Sequence, residues 1–189
     1  ILISGGGSNM VALVNSMQGD HPARPVLVLS NDPKAGGLAK ADALGVATAC
    51  VDHKPFGKDR AAFEVALQAA LEAANPDIIC LAGFMRILTS DFTRKWEGRM
   101  LNIHPSLLPK YGGKGMHGAH VHEAVMVNNE IESGITIHYV NEKYDEGGII
   151  FQEHFDVLPS DTAEDVASKV HILEYEHFPK IIEKVILQK

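Results

Sequence analysis

The sequence predicts an α/β protein with a Rossmann-like, mostly parallel central sheet flanked by helices and a mixed-sheet C-terminal part, folded as a single domain. Over the first hundred residues, short β-rich apolar runs alternate with segments of 3.6-residue periodicity. After residue 103 this alternation stops, and two strand-like runs follow each other without a helix between them. The length of 189 residues, 46% of them hydrophobic, allows one substantial core but not two.

The first half is expected to consist of strand-helix-strand units, whose right-handed crossovers make successive strands parallel. Gly45 closes the second helical segment, and Asn75-Pro76 ends the third. Predicted strands cover residues 1–3, 26–29, 46–51 and 77–82, and predicted helices cover 8–17, 38–44 and 58–74.

The second half has a different organisation. We predict a buried strand at 100–103, a Pro- and Gly-rich loop at 104–118 and a short helix at 120–127. Two further strands are predicted at 135–140 and 149–157, joined by a loop at 141–148. Thr162 is the expected cap of a long terminal helix whose apolar positions run from Val166 to Val185. Pro179 is expected to kink this helix or split it in two.

Composition restricts the partners. Seventeen Lys and Arg against 24 Asp and Glu give a formal net charge of −7, which argues against a nucleic-acid partner. No apolar run approaches the roughly eighteen residues that span a bilayer, so we expect a cytoplasmic protein with small-molecule partners and no membrane contact. Cys50 and Cys80 lie in apolar runs and are expected to be reduced core thiols. Since the chain opens inside a strand without Met, residues are expected upstream of Ile1. The sequence does not distinguish between a monomer and a homodimer.

Ser4-Gly5-Gly6-Gly7-Ser8-Asn9 lies between the first strand and the first helix. Glycines there let backbone amides approach an anion, and the helix N-terminus supplies partial positive charge. Met10 occupies the position of the third glycine in a dinucleotide fingerprint, and the Lys-Ser/Thr end of a P-loop is missing. The segment is therefore predicted to bind a phosphate, the alternative being a merely tight turn.

Asn102 and His104 are two residues apart near the end of a predicted strand, so their side chains project from the same side. An amide donor and an imidazole in this arrangement can act on a carbonyl, by stabilising an oxyanion and moving a proton. A structural histidine is the alternative. Ser106 lacks the surroundings of an activated nucleophile and is expected to be a turn-forming hydroxyl. Asp145, alone, has the character of an ordinary turn residue.

Histidines elsewhere raise the question of a metal site. His117, His120, His122 and Glu123 are clustered, but His120 and His122 are two apart on a predicted helix and point to different faces. No metal site is therefore expected. His138, in the half-buried strand before Asp145, remains a site candidate.

Together these segments resemble the folate-dependent formyltransferases, and among them the enzymes that formylate glycinamide ribonucleotide. The resemblance covers essentially the whole chain, through residues 4–9, 81–88, 102–111 and 137–140 and through Asp145. It implies that residues 1–189 are one formyltransferase domain, with a nucleotide-phosphate-binding half at about 1–100 and a catalytic and folate-binding half at about 101–189.

The resemblance also implies the roles of individual residues. Asn102, His104 and Asp145 would be catalytic. Gly7, Ser8, Asn9 and Arg60 would bind the substrate phosphate, while Pro105 and Glu174 would contact the rest of the ribonucleotide, Glu174 at the ribose hydroxyls. The folate would be bound by Met85, Arg86, Ile87, Leu88, Val140, Asn141, Glu142, Lys143 and Tyr144. Thr136 and His138 would support the catalytic aspartate.

The implied reaction belongs to de novo purine biosynthesis. The glycine amine of the ribonucleotide would attack the formyl carbon of the co-substrate 10-formyltetrahydrofolate directly, giving a tetrahedral intermediate whose oxyanion Asn102 and His104 stabilise. Asp145, through a water, would help to move the proton to the leaving nitrogen. The sequence departs from the family pattern at Gly6, where Asn is common, at Glu146, which interrupts Asp-Gly-Gly, and in the long loop 112–118.

Three alternatives remain. Formyltetrahydrofolate hydrolase shares the histidine loop and the aspartate but carries an N-terminal regulatory domain. Methionyl-tRNA formyltransferase is longer and needs a tRNA-binding surface, which an acidic chain does not suggest. A non-catalytic nucleotide-binding module is possible on the first half alone, but the joint presence of Asn102, His104 and Asp145 speaks against it.

Overall fold

The computed structural model describes all 189 residues and consists of seven strands and six α-helices. The strands are β1 (Leu2–Ile3), β2 (Val28–Ser30), β3 (Thr48–Cys50), β4 (Ile79–Leu81), β5 (Met100–His104), β6 (Glu132–Tyr139) and β7 (Ile149–Asp156). The helices are α1 (Ser8–Ser16), α2 (Gly36–Ala43), α3 (Arg60–Ala74), α4 (Ser90–Lys95), α5 (Ala119–Val127) and α6 (Ala163–Leu187), with a 3₁₀ turn at Lys54–Phe56. None of these helices combines the length and apolar character needed to cross a lipid bilayer.

The strands form one sheet in the order β3-β2-β1-β4-β5-β6-β7. β1 to β5 are parallel, whereas β6 pairs antiparallel with β5 and β7 pairs antiparallel with β6. The predicted fold class, a Rossmann-like sheet with a mixed C-terminal part, is confirmed. The strand order reverses direction between β1 and β4, and open α/β sheets bind ligands at the carboxyl ends of the strands beside such a switch point.

Each face of the sheet is covered by helices. On one face, Met10 and Leu13 of α1 pack in a core with Phe178 and Ile182 of α6. On the other, α3 contributes a second core through apolar side chains at helical spacing, Phe63, Leu67 and Leu71, which pack with Phe92 and Trp96 around α4. Because both faces are buried, the central strands are continuous apolar runs, as the sequence indicated.

The structure differs from the sequence-based expectations in three places. Pro179 does not split the terminal helix, since α6 is assigned continuously from Ala163 to Leu187 and Pro179 is buried in it beside the core residue Phe178. Cys50 is exposed, since β3 is an edge strand with little cover, whereas Cys80 is buried as expected. α4 was not predicted, because it has only six residues and is capped by Thr89 rather than marked by periodicity.

Candidate active site

The main cleft opens at the carboxyl ends of β1, β4 and β5 and has a volume of about 510 Å³. Its lining consists of Gly5–Asn9, Ala82–Met85, Ile87, Asn102–Pro105, Lys114–Gly118, His122, Tyr144, Asp145, His171 and Glu174. An apolar hollow of about 350 Å³ at the opposite edge of the sheet, between Leu27 and Ile182, lacks a comparable convergence of polar side chains. The residues capable of chemistry are therefore concentrated at the switch point of the sheet.

The glycine loop, Gly5–Asn9, forms one wall of the main cleft and leads into α1. Gly7 has a left-handed backbone with φ of 69°, and an added Cβ would lie 3.0 Å from the Cα of Gly37. The loop is thus pressed against the start of α2, where Lys40 Nζ donates to the carbonyl oxygen of Gly6 over 2.8 Å. The first amides of α1 have no acceptor within the helix, which suits them to an anion.

A hydrogen-bonded chain that the sequence analysis missed connects the strand ends beside this loop. Ser4 Oγ donates to Asn31 Oδ1 and accepts from the amide of Met85, while Asn31 also contacts His53. Asn31 is buried immediately after β2. Asn31 could have been found from the sequence because it is a polar residue just after a predicted strand, and the carboxyl ends of parallel strands lie at one edge of the sheet.

Asn102 and His138 form a pair across β5 and β6. The two residues are directly opposite in the antiparallel ladder, and Asn102 Nδ2 lies 3.2 Å from His138 Nε2. His138 Nδ1 is 2.9 Å from the carbonyl oxygen of Tyr139, which can only accept, so the proton is on Nδ1 and Nε2 accepts from Asn102. Burial lowers the pKa of His138, which favours this neutral form.

His104 is buried at the end of β5, and its two ring nitrogens face different groups. Nε2 donates to the carbonyl oxygen of Tyr111 over 2.7 Å, whereas Nδ1 is 3.7 Å from Asp145 Oδ2. Tyr111 is held in turn by its hydroxyl, which donates to Glu130 over 2.8 Å. The Tyr111 carbonyl therefore fixes the orientation of the ring and leaves Nδ1 as the nitrogen that faces the aspartate.

Asp145 reaches this pair from the loop between β6 and β7. Its side chain is only 5% exposed, and Oδ2 accepts from the amide of Gly113 over 2.9 Å. Oδ1 is 3.9 Å from His138 Nε2, so the carboxylate faces both histidines. Glu146 is exposed, and the turn that it lengthens still brings Asp145 next to His104.

A side recess of about 70 Å³ lies behind this cluster, between the segments 86–88 and 140–145. It shares Ile87, Asn102, Tyr144 and Asp145 with the main cleft. Arg94 of α4 donates to Glu142 over 2.8 Å and ties the loop down over the recess. Asn102 and Asp145 consequently stand in the wall between the two cavities.

Glu174 of α6 lies at another end of the main cleft and is buried. Its Oε2 accepts from Asn9 Nδ2 over 2.9 Å and is 3.0 Å from His171 Nδ1. The pKa of His171 is raised, chiefly by this hydrogen bond to the carboxylate. The glycine loop and Glu174, far apart in sequence, are thus joined through Asn9.

The remaining predicted residues fall in different places. Pro105 and Met85 line the main cleft. Arg60 is exposed at the start of α3 and does not line the cleft, and the cation that contacts the glycine loop is Lys40. Thr136 is buried beneath the loop after β5, where its hydroxyl donates to the carbonyl oxygen of Ser106 over 2.7 Å. The Ser106 hydroxyl donates to the carbonyl oxygen of Lys110 over 2.6 Å, as expected of a turn-forming residue.

The histidine cluster divides as the helical spacing predicted. On α5, His120 is exposed and His122 is buried against the main cleft. No group of three or more His, Cys, Asp or Glu side chains is arranged to hold a metal ion.

Comparison with known proteins relates this arrangement to a family. A model of the formyl transferase family matches residues 1–182. The bovine (Bos taurus) trifunctional purine biosynthetic protein adenosine-3 is 44% identical over 186 residues, which are 98% of this chain but 18% of that protein. The chain thus spans a small part of the trifunctional relatives that it matches.

Shorter relatives correspond to it over most of their length. The phosphoribosylglycinamide formyltransferase of Escherichia coli (strain K12) is 36% identical over 183 residues, covering 96% of this chain and 84% of that protein. The crystal structure of the phosphoribosylglycinamide formyltransferase from Brucella melitensis superposes with a TM-score of 0.88 at 44% identity, covering 98% of this chain and 93% of that one. With the family match over residues 1–182, these similarities show that the chain belongs to the formyl transferase family.

Proposed function

We propose that this protein transfers a formyl group from 10-formyltetrahydrofolate to the glycine amine of glycinamide ribonucleotide, as a cytoplasmic enzyme of de novo purine biosynthesis. The observation that carries the proposal is the position of Asn102 and Asp145, which border both the main cleft and the side recess. Two substrates bound on opposite sides of this wall would present their reacting groups to the same side chains. We assign the reaction to one domain, with its phosphate-binding half at about 1–100 and its catalytic half at about 101–189.

The main cleft suits the ribonucleotide. Its phosphate fits the glycine loop, through Gly7, Ser8 and Asn9, because unpaired helix amides and the adjacent Lys40 favour an anion. Glu174 accepts hydrogen bonds from the ribose hydroxyls, and Pro105 borders the path toward Asn102. Arg60, exposed on α3, contributes at most long-range attraction for the phosphate.

The side recess suits the flat, hydrogen-bonding ring of the folate. Ile87, Leu88 and Val140 supply apolar surface, and the backbone of the loop 140–145 supplies polar groups. Since the recess is narrow, we expect the loop to move outward when the ring binds, against the contact between Arg94 and Glu142 that holds it in place. Met85 and Arg86, with Asn141 and Lys143, border the path of the folate tail.

The arrangement of donors supports direct attack by the amine. One N–H of Asn102 is used by His138, which leaves the second free for the oxygen of the formyl group as it becomes an oxyanion. His104 turns Nδ1 toward the same region, and the ring can share in stabilising this oxygen when Nδ1 carries a proton in addition to the one that Nε2 donates to Tyr111. Asp145, beside His104, takes up the proton from the attacking amine, directly or through a water, and returns it to the leaving nitrogen.

The proposal is tested by incubating the protein with glycinamide ribonucleotide and 10-formyltetrahydrofolate and measuring the formylated ribonucleotide by chromatography and mass spectrometry. We expect product to form in proportion to enzyme and to both substrates. Release of free formate at a rate independent of the ribonucleotide would instead indicate a hydrolase. Absence of both products would leave only binding and would refute the enzymatic assignment.

A further inference from the structure

Two polar atoms near Glu174 have no hydrogen-bond partner although they are completely buried. They are Oδ1 of Asn9 and Nδ1 of His122. Both residues line the main cleft, and the side chain of His122 belongs to a residue that is only 4% exposed. An unpaired buried polar atom costs free energy, so two such atoms beside one carboxylate point to a polar ligand at this end of the main cleft.

The neighbouring groups define what that ligand must offer. Glu174 uses Oε2 for Asn9 and His171, and neither of these contacts occupies Oε1. Oε1 of Glu174 and Oδ1 of Asn9 can only accept hydrogen bonds. The ligand therefore has to bring donors, and it cannot be an anion, because the carboxylate repels one.

His122 is suited to a hydroxyl in particular. Burial lowers the pKa of His122, and the nearby His171 lowers it further while Glu174 opposes this, so the ring is neutral and carries one donor and one acceptor nitrogen. A hydroxyl both donates and accepts, so it satisfies Nδ1 in either tautomer. A vicinal diol supplies two such groups at adjacent carbons, one for Glu174 and one for His122.

We propose that His122 is a specificity-determining residue that hydrogen-bonds to one of the two ribose hydroxyls of the nucleotide substrate, while Glu174 binds the other. The inference rests on the proposed function, which places the ribose beside Glu174, and adds to it a residue from α5. It also explains why the buried face of α5 carries a histidine, whereas the exposed His120 lies outside the cleft.

Binding of sugar phosphates tests the inference without requiring turnover. The probes are methyl β-ribofuranoside 5-phosphate and its 2-deoxy and 3-deoxy forms, titrated calorimetrically into the wild-type protein and into H122F. For the full ribosyl probe we expect H122F to weaken binding roughly tenfold, the loss of about one hydrogen bond. For the deoxy probe that lacks the hydroxyl contacted by His122, the substitution should have no effect, since the interaction is already gone.

The controls separate this role from a structural one. H120F removes an exposed histidine of the same helix and should bind all three probes as the wild type does. If H122F does not fold, H122L provides the same comparison with a smaller apolar side chain. Equal affinities of wild type and variant for every probe, or an equal loss for all three, would overturn the role of His122. Failure of the proposed function is recognised separately, as wild-type protein that binds the probes but forms no formylated ribonucleotide.

Discussion

Replacing Asp145 by Asn is the sharpest test of the proposed chemistry, because it removes a charge and leaves the shape almost unchanged. The amide oxygen can still accept from the Gly113 amide, which Oδ2 does over 2.9 Å. What disappears is the negative charge 3.7 Å from His104 Nδ1. A charged imidazole at about 4 Å from a carboxylate is stabilised by about 4 kcal/mol at an effective dielectric constant of ~20.

If this interaction is present in the transition state, its loss lowers kcat by about a thousandfold, within the range expected for a general acid–base group. The assay is single-turnover formation of the formylated ribonucleotide with both substrates saturating, accompanied by a thermal melt to verify folding. KM for the ribonucleotide should change little, since Glu174 and the glycine loop are untouched. A kcat within a few fold of wild type, in a folded D145N protein, would refute the proton-transfer role.

The other predictions concern the frame around the site. A methyl group at Gly147 would lie 1.7 Å from a carbonyl oxygen of the preceding strand, so Gly147→Ala should lower the melting temperature and reduce turnover at least about tenfold. Gly148 has open space around it, so Gly148→Ala should resemble wild type. Equal behaviour of the two variants would contradict this packing. Burial lowers the pKa of His138 from its ordinary value of 6.5, so the unfolded chain takes up the proton first and the free energy of unfolding should fall as the pH drops below that value. Urea titrations at several pH values should show a flatter dependence for His138→Gln, and an unchanged slope would count against the buried neutral ring. Burial raises the pKa of the Cys80 thiol to about 11, whereas Cys50 is exposed. A maleimide at neutral pH should therefore modify only Cys50 in the folded protein. Peptide masses that show label at Cys80 before unfolding would disprove this.

Much of the fold could be predicted because most of its helices and strands have a recognisable local sequence pattern. Apolar runs and helical periodicity indicated every strand and five of the six helices, to within a few residues. α4 escaped because six residues are too few to show a period, and its cap, Thr89, is held by Glu64 from a distant helix. Cys50 was misplaced for a similar reason, since an apolar run does not reveal that its strand lies at the edge of the sheet.

The site was predictable where its residues are close in sequence. Asn102 and His104 could be placed from their spacing on one strand, and the glycine loop from its position between β1 and α1. Asp145 contacts the Gly113 amide, 32 residues away in sequence, and Glu174 contacts Asn9, 165 residues away. No local pattern encodes such contacts, so Asp145 and Glu174 were assigned only through resemblance, and the proposed role of His122 depends on its unpaired Nδ1, which only the structure shows.

The wall formed by Asn102 and Asp145 has a kinetic consequence. In the proposed reaction no group of the protein is itself formylated, so the formyl group can move only while donor and acceptor are both bound at this wall. Transfer then requires a ternary complex, and initial rates plotted in double-reciprocal form against either substrate should give intersecting lines rather than parallel ones.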